Sequence, residues 1–358
     1  MSISTTGTIR VAQIPGNRSR PAELLGRFFQ YAQFTEVLFD EPTGMNNFSI
    51  ITEFLLMEFS SVRELQVLHA VLFLLIYLAA VMGNLLTIAA IITDSHLHSP
   101  MYFFLSNLSL VDICMISVIL PKFIVNSFSG IHSLSIFGCA IQIFFFTFFV
   151  TTELALLVAM SYDRFVAICH PLHYGIVMNP ARCLWAASGS WLSGFIYSAI
   201  HIGNMFRQPF RGSNVIHQFF CDVSHLFKVL PSDVFHTESI LVAISLSVFL
   251  FCFAFLIASY ARIFSSVLKI PSVEGRYKAI STCSPQLIIL LLFIISIMLA
   301  ALMDTSDTFP IQNLLIALSY TTLPPLMNPI IYSLRNQKIT GAMGKMIRRM
   351  VSSLALKT

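Results

Sequence analysis

The chain has 358 residues, of which only 11% are charged and 56% are hydrophobic, with a net charge of +4. Ordinary soluble domains carry about 25% charged residues, and a mean hydropathy of +0.80 leaves more apolar surface than a water-soluble core of this size could hide. No basic run with interleaved aromatics is present, so nucleic-acid binding has no support.

Residues 1–44 hold four Arg and four acids and no long apolar segment of the kind a cleavable signal peptide needs. They read as an upstream extension, and the first apolar span then serves as the insertion signal. Asn17-Arg18-Ser19 and Asn47-Phe48-Ser49 fit the glycosylation acceptor pattern, and Asn47 is the expected site. Asn107-Leu108-Ser109 fits as well but falls inside an apolar span, beyond the reach of the modifying enzyme.

Stretches of about 18 or more apolar residues, enough to cross a bilayer as a helix, fall at 66–92, 101–122, 137–160, 183–203, 238–262, 281–302 and 309–332. A helix satisfies its own backbone hydrogen bonds in lipid, so the expected fold is all-α, a seven-transmembrane helix bundle. Residues 1–65 form the extracellular N-terminal segment, 66–334 the membrane domain and 335–358 the cytoplasmic tail. The Phe-rich third span (Phe144, Phe145, Phe146, Phe148, Phe149) reads as lipid contact and helix packing.

Lys and Arg placement sets the orientation. With the N-terminus outside, the inner segments carry Arg164, Arg182, Arg262, Lys269, Arg276, Lys278, Arg335, Lys338, Lys345, Arg348, Arg349 and Lys357. The outer loops carry Lys122, Arg207, Arg211 and Lys228. From Arg335 to Met350, basic residues alternate with Ile339, Met343, Met346 and Ile347, the pattern of a short amphipathic C-terminal helix lying on the inner leaflet. This topology puts only Cys139 and Cys221, of seven cysteines, on the oxidising side, where a disulfide would tie the third span to the long loop after the fourth.

The third span ends in Met160-Ser161-Tyr162-Asp163-Arg164-Phe165-Val166-Ala167-Ile168-Cys169-His170-Pro171-Leu172-His173-Tyr174. An adjacent acid and base are tolerable there because water is close, and a pair that can hold or break is suited to a switch. The run resembles the signature at the cytoplasmic end of helix 3 in olfactory receptors, a branch of the rhodopsin-like G-protein-coupled receptors. Gly83-Asn84, Pro100-Met101-Tyr102 through Asp112, Lys278-Ala279-Ile280-Ser281-Thr282-Cys283 and Pro325-Leu326-Met327-Asn328-Pro329-Ile330-Ile331-Tyr332 extend the resemblance in order and spacing over about residues 45–340.

The resemblance implies an odorant receptor at the plasma membrane. Its ligand would be a small, mostly apolar volatile held by Thr147, Val150, Thr151, Ser245, Val248, Ile297, Ala301 and Thr321. Its partner would be a heterotrimeric G protein of the stimulatory olfactory type, which raises cyclic AMP. Asp163, Arg164, Tyr260, Asn328, Pro329 and Tyr332 would form the switch, and the Cys139–Cys221 bridge is expected in the family. A second bridge within the same loop, frequent in the family, has Arg211 and Pro231 at its positions here, which predicts a looser loop. Gln286 replaces a usual His, Ile280 a usual Phe, and Ile294 and Ala301 frequent Tyr residues.

Asp112 and Glu153 read as the acids deep in the apolar spans, where each charge costs roughly 2.5–3.5 kcal/mol on insertion scales. They could share a cation such as Na⁺, with Asn84 and Asn328 as nearby oxygen donors, or be a protonated pair that fixes packing. Asn328-Pro329 frees a backbone carbonyl and allows a kink, after which Tyr260 and Tyr332 could swing toward Arg164. His69 and His201 read as packing or interface residues, without the spacing of a metal site.

No nucleophile–base arrangement, phosphate loop or cofactor fingerprint is present, so an enzyme is not expected. The alternative of a transporter or channel lacks matching halves with broken helices. A peptide or amine ligand is the alternative within receptors, but residues 143–151 carry no acid to meet a cation.

Overall fold

The computed structural model describes residues 51–57, 62–207, 210, 214–216, 218–221, 223–226, 232–301, 310–335 and 337–355. Asn17, Asn47, Arg211 and Pro231 lie outside them. The described long helices are α1 (Arg63–Thr93), α2 (Pro100–Ser129), α3 (Ile136–Cys169), α4 (Pro180–Met205), α5 (Ser232–Leu268), α6 (Val273–Ala301), α7 (Pro310–Arg335) and α8 (Gln337–Ala355). Five helical segments, Arg63–Thr93, Pro100–Ser129, Ile136–Cys169, Val234–Leu268 and Val273–Ser296, are long and apolar enough to cross a membrane. α4 and α7 match them in scale at 26 residues each but are less apolar.

Local chemistry sets the helix ends. Pro100 and Pro180 occupy first-turn positions, where a missing N–H costs nothing. Asn179 caps α4 by accepting the Arg182 N–H at 2.9 Å, and Ser135 caps α3 by accepting the Gly138 N–H at 3.1 Å. α2 stops at Gly130, whose φ of +69° suits glycine and whose N–H reaches Asn126 O at 2.9 Å. Most helices run past the apolar stretches that signal them. α3 continues to Cys169, well beyond residue 160, because apolarity marks the lipid-embedded part and not the whole helix.

α3 packs against α2, α4, α5 and α6, and α7 against α1, α2 and α6. Leu105, Leu108, Leu156, Met160, Leu256 and Leu290 lie in the central cluster. The α3–α4 approach depends on Gly194, since a Cβ there would sit 2.7 Å from the Phe148 carbonyl oxygen. Large apolar side chains also face outward, including Trp185 at 78% and Phe251 at 74% exposure. In water such surfaces would aggregate; against acyl chains they are matched to their surroundings.

A small sheet departs from the all-α expectation. β1 (Glu53–Leu56) lies between β2 (Ser133–Ser135) and β3 (Val215–Ile216), antiparallel to β2 and parallel to β3. Phe54 pairs with Leu134, and Leu56 with Ile216. Alternation turns Phe54 and Leu56 inward onto Phe210, Ile143, Met205 and the Cys139–Cys221 pair. Two to four residues per strand are too few to give a periodic signal in sequence.

Candidate functional site

Three groups of polar residues mark the two ends and the middle of the bundle. At the end of α3, Asp163 is buried and accepts hydrogen bonds from Arg164, from Nε at 2.9 Å and also from Nη2. Pro171 starts a 3-10 turn, Pro171–His173, that folds the chain back. Tyr174 is thereby brought to donate its hydroxyl to Asp163 Oδ1 at 2.8 Å. Burial, followed by the Asp163 carboxylate, pushes the Tyr174 phenol above its usual range, so it remains a donor. Tyr260 and Tyr332 are buried beside Arg164, and neither hydroxyl has a partner among the described residues. Cys169 Sγ and Ser266 Oγ, 3.3 Å apart, join α3 to α5 at the same end. Gln286, the departure from the family's His, is buried in α6, its Nε2 without a partner among the described residues.

In the middle of the bundle, Asn328 Nδ2 donates to both oxygens of Asp112, at 3.2 and 3.0 Å. Pro329 has no N–H, so the carbonyl four residues earlier, Pro325 O, loses its helical partner. Asn84 supplies the replacement from α1: its Nδ2 donates to Pro325 O at 2.9 Å and to Ala80 O at 3.0 Å. Gly83 lets the Pro329 ring come close, since a Cβ would meet Pro329 Cγ at 3.1 Å. Glu153 is fully buried beside Asp112 and Asn328. Asn328 also lies within reach of the Glu153 carboxyl, while Asn84 Oδ1 and Asn328 Oδ1 have no hydrogen-bond partner among the described residues. These are oxygen atoms only, the donor set of a hard cation. Among the described residues, no three His, Cys, Asp or Glu side chains gather into a metal cluster.

At the opposite end, the Cys139–Cys221 disulfide ties α3 to the loop before α5, with a Cα–Cα distance of 5.4 Å. Gln142 was not singled out in the sequence. Its Nε2 donates to Val118 O at 3.2 Å, and its Oε1 accepts the Cys221 N–H at 2.9 Å. A buried acid that the sequence analysis did not single out joins Asp112, Glu153 and Asp163. Glu238, at the start of the fifth span, pairs with His201 and accepts from Asn204 Nδ2 at 2.7 Å. The Tyr197 ring lies 4.3 Å from that of His201. The signal was present as an acid at a span edge, but its partner is on another helix.

Of the candidate ligand residues, Thr147, Val150 and Thr151 are half-buried along α3, and Thr321 is buried in α7 with its hydroxyl on Ala317 O at 2.8 Å. Ser245 is half-buried, donates to Leu241 O at 2.7 Å and lies within reach of the Tyr197 hydroxyl. Val248 is corrected: it is 57% exposed on the flank of α5 and faces away from the interior. A helix apolar all round does not reveal its inward face. The side chains of Ile297 and Ala301 lie outside the described residues. A groove of about 540 Å³ on the flank of the bundle is lined by Phe103, Asn107, Phe148, Trp191 and Phe195 among others, and by none of these candidates. Trp191 Nε1 donates to Asn107 Oδ1 at 3.2 Å there.

The sequence profile of the family described as "Olfactory receptor" matches residues 73–350. The chain belongs to the olfactory receptor family. It is similar to Olfactory receptor 14I1 of Homo sapiens, 54% identical over 302 residues, which are 84% of this chain and 97% of that receptor. Olfactory receptor 14A16 of Homo sapiens is 45% identical over 304 residues, 85% of this chain and 98% of its own. Olfactory receptor 14L1 of Homo sapiens is 46% identical over 293 residues, 82% and 90%. The receptor is therefore a multi-pass membrane protein of a G-protein-coupled class, not an enzyme. The matched residues include Asp163 and Arg164, the polar middle and the disulfide, and begin after β1.

Proposed function

We propose that this receptor binds a small, mostly apolar odorant between α3, α5, α6 and α7, and answers it by activating a stimulatory olfactory-type G protein that raises cyclic AMP. In this reading α1 to α7 all cross the plasma membrane, with the N-terminus outside. Lys269, Arg276 and Arg182 then lie on the cytoplasmic side with Arg164, and the disulfide end faces out. α8 lies on the inner leaflet with its basic face to the headgroups.

One observation carries the reading. Arg164 is tied to Asp163, and Tyr174 is tied to the same carboxylate, while Tyr260 and Tyr332 wait beside it with unpaired hydroxyls. Breaking the lock frees a guanidinium, and the two phenol oxygens near it are its candidate new acceptors. An odorant that binds better when the cytoplasmic ends of α3 and α6 are apart draws the receptor into that second arrangement. In the resting state Asp112 and Glu153 hold Na⁺, with the Asn84 and Asn328 side-chain oxygens completing the site.

The test is a cyclic-AMP reporter screen of the form beginning at Met45, against a broad odorant panel, with Arg164→Ala alongside. The variant is expected at the cell surface with its response lost. Full signalling by Arg164→Ala would overturn the assignment of the switch.

A further inference from the structure

Towards the disulfide end, a carboxylate and an imidazole face each other across the contact between α4 and α5. Glu238 lies in the second turn of α5, and His201 one turn before the end of α4. The Glu238 side chain is fully buried, while that of His201 keeps 11% exposure. His201 Nδ1 meets Glu238 Oε1, and Asn204 Nδ2 donates to Oε2 at 2.7 Å, so α4 takes both oxygens of the carboxylate. The Tyr197 ring lies against the imidazole, centroids 4.3 Å apart.

With Nδ1 held by Glu238, the proton that comes and goes belongs to the other ring nitrogen, Nε2. Without that proton the pair is a buried negative charge. With it the pair is neutral overall, and each group meets an opposite charge. A net charge in a dry interior is expensive, so the proton strengthens the contact and its loss weakens it. The surrounding helices bring few other ionisable groups to this end. α3 has none between Ile136 and Thr152 except Cys139, which is in the disulfide, and α6 has none between Leu290 and Ala301. α2 carries Lys122, α4 carries Tyr197, and His236 on α5 and Arg207 just past α4 are both exposed.

We infer that His201 and Glu238 form a proton-operated tie between α4 and α5, tighter when the medium at the disulfide end is acid and looser when it is alkaline. A buried ion pair commonly adds no more stability than apolar side chains of the same shape. What this pair adds is dependence on a single proton, and histidine is the side chain suited to that near neutral pH. The tie bears on the response through Tyr197, which touches His201 and lies within reach of Ser245, a proposed ligand residue. Acid thus braces the segment of α5 that carries Ser245. That last step rests on the proposed location of the odorant; the tie itself does not.

The full-length receptor is extracted into detergent, and its thermal unfolding is followed from about pH 6 to about pH 8. Each extra proton bound by the folded form shifts the folded-to-unfolded ratio by up to about tenfold per pH unit. In Glu238→Gln the buried imidazole has no carboxylate to meet its charge, so acid weakens that variant. In His201→Lys the amine is charged throughout, so the pair takes up no proton. From the alkaline to the acid end of the range, the wild type is expected to gain at least about tenfold in that ratio over Glu238→Gln, with His201→Lys between them. Parallel pH profiles for all three would overturn the proposal. Should Glu238→Gln fail to fold, the comparison of wild type with His201→Lys decides alone. If neither variant folds, the pair is only a folding element and the proposal falls. Diverging profiles with no odorant response anywhere in the panel would leave the tie standing and remove the ligand reading. An odorant response with parallel profiles would do the reverse.

Discussion

The two ends of this receptor are built on opposite plans. The disulfide end is held by a covalent bond, a three-stranded sheet and Gln142, whose amide satisfies two backbone groups at once. The Arg164 end has neither a disulfide nor a sheet among the described residues, and there the hydroxyls of Ser161, Tyr260 and Tyr332, and Gln286 Nε2, have no hydrogen-bond partner among the described residues. The first end is thus fixed by covalent and backbone ties, while the second can exchange side-chain partners without breaking either kind. A receptor needs both, because ligand selectivity demands fixed walls and signalling demands a movable end.

The sharpest way to break this contrast is to cut the covalent tie. Cys139→Ser or Cys221→Ser releases a bridge that spans 82 residues of sequence. In the chain-entropy model such a closure is worth about 4 kcal/mol, less where the membrane already restrains the unfolded chain. Both variants are expected to be retained inside the cell in surface immunostaining. Normal surface levels for both would mean that the sheet and Gln142 suffice and the disulfide is dispensable.

The middle of the bundle, where the two plans meet, offers a second probe. Asp112→Asn and Glu153→Gln each remove a charge from the proposed cation site and are expected to change basal cyclic AMP and its dependence on sodium. Basal signalling in membranes, with sodium exchanged for a bulky organic cation, reads this directly. If wild type and both variants respond alike to the exchange, the two carboxyl groups only fix packing.

The smallest effect is expected at the movable end. Tyr174→Phe keeps the ring and deletes the hydroxyl that donates to Asp163. Hydrogen bonds to a charged group are worth about 1.5–3 kcal/mol, and part of this one is recovered by water at the loop. The variant should reach the surface normally and show raised basal cyclic AMP, with the odorant response retained. Unchanged basal signalling would mean that Arg164 alone holds Asp163 and that the lock has two members instead of three.

Much of the scaffold was legible because lipid imposes a simple rule: a helix that crosses must be apolar for about 20 residues. The same rule hides what lies inside. On α5 both faces are apolar, so Val248 could not be told from an interior residue by its chemistry, and Ser245 turned out to be partly engaged by its own helix. The Asp163–Arg164 pair was readable since the two are adjacent in sequence, whereas Tyr174 joins them only once the Pro171 turn brings it back. Glu238 needed His201 and Asn204 from another helix, and the β1–β2–β3 sheet needed three segments far apart in the chain. What escaped the sequence is pairing at long separation between short or ambiguous segments.

The amide of Asn84 has a mechanical consequence. By taking over the carbonyl that Pro329 abandons, it sets the fulcrum of α7 against α1 and not within α7 itself. Beyond that fulcrum lie Ile330 to Arg335 and then α8, joined to them where the Thr340 hydroxyl donates to Ser333 O. This portion is a short lever whose pivot cannot slide along the helix, because sliding would strand Pro325 O in a dry interior. Any swing of Tyr332 is therefore a rotation about a fixed axle, and α8 is carried round with it.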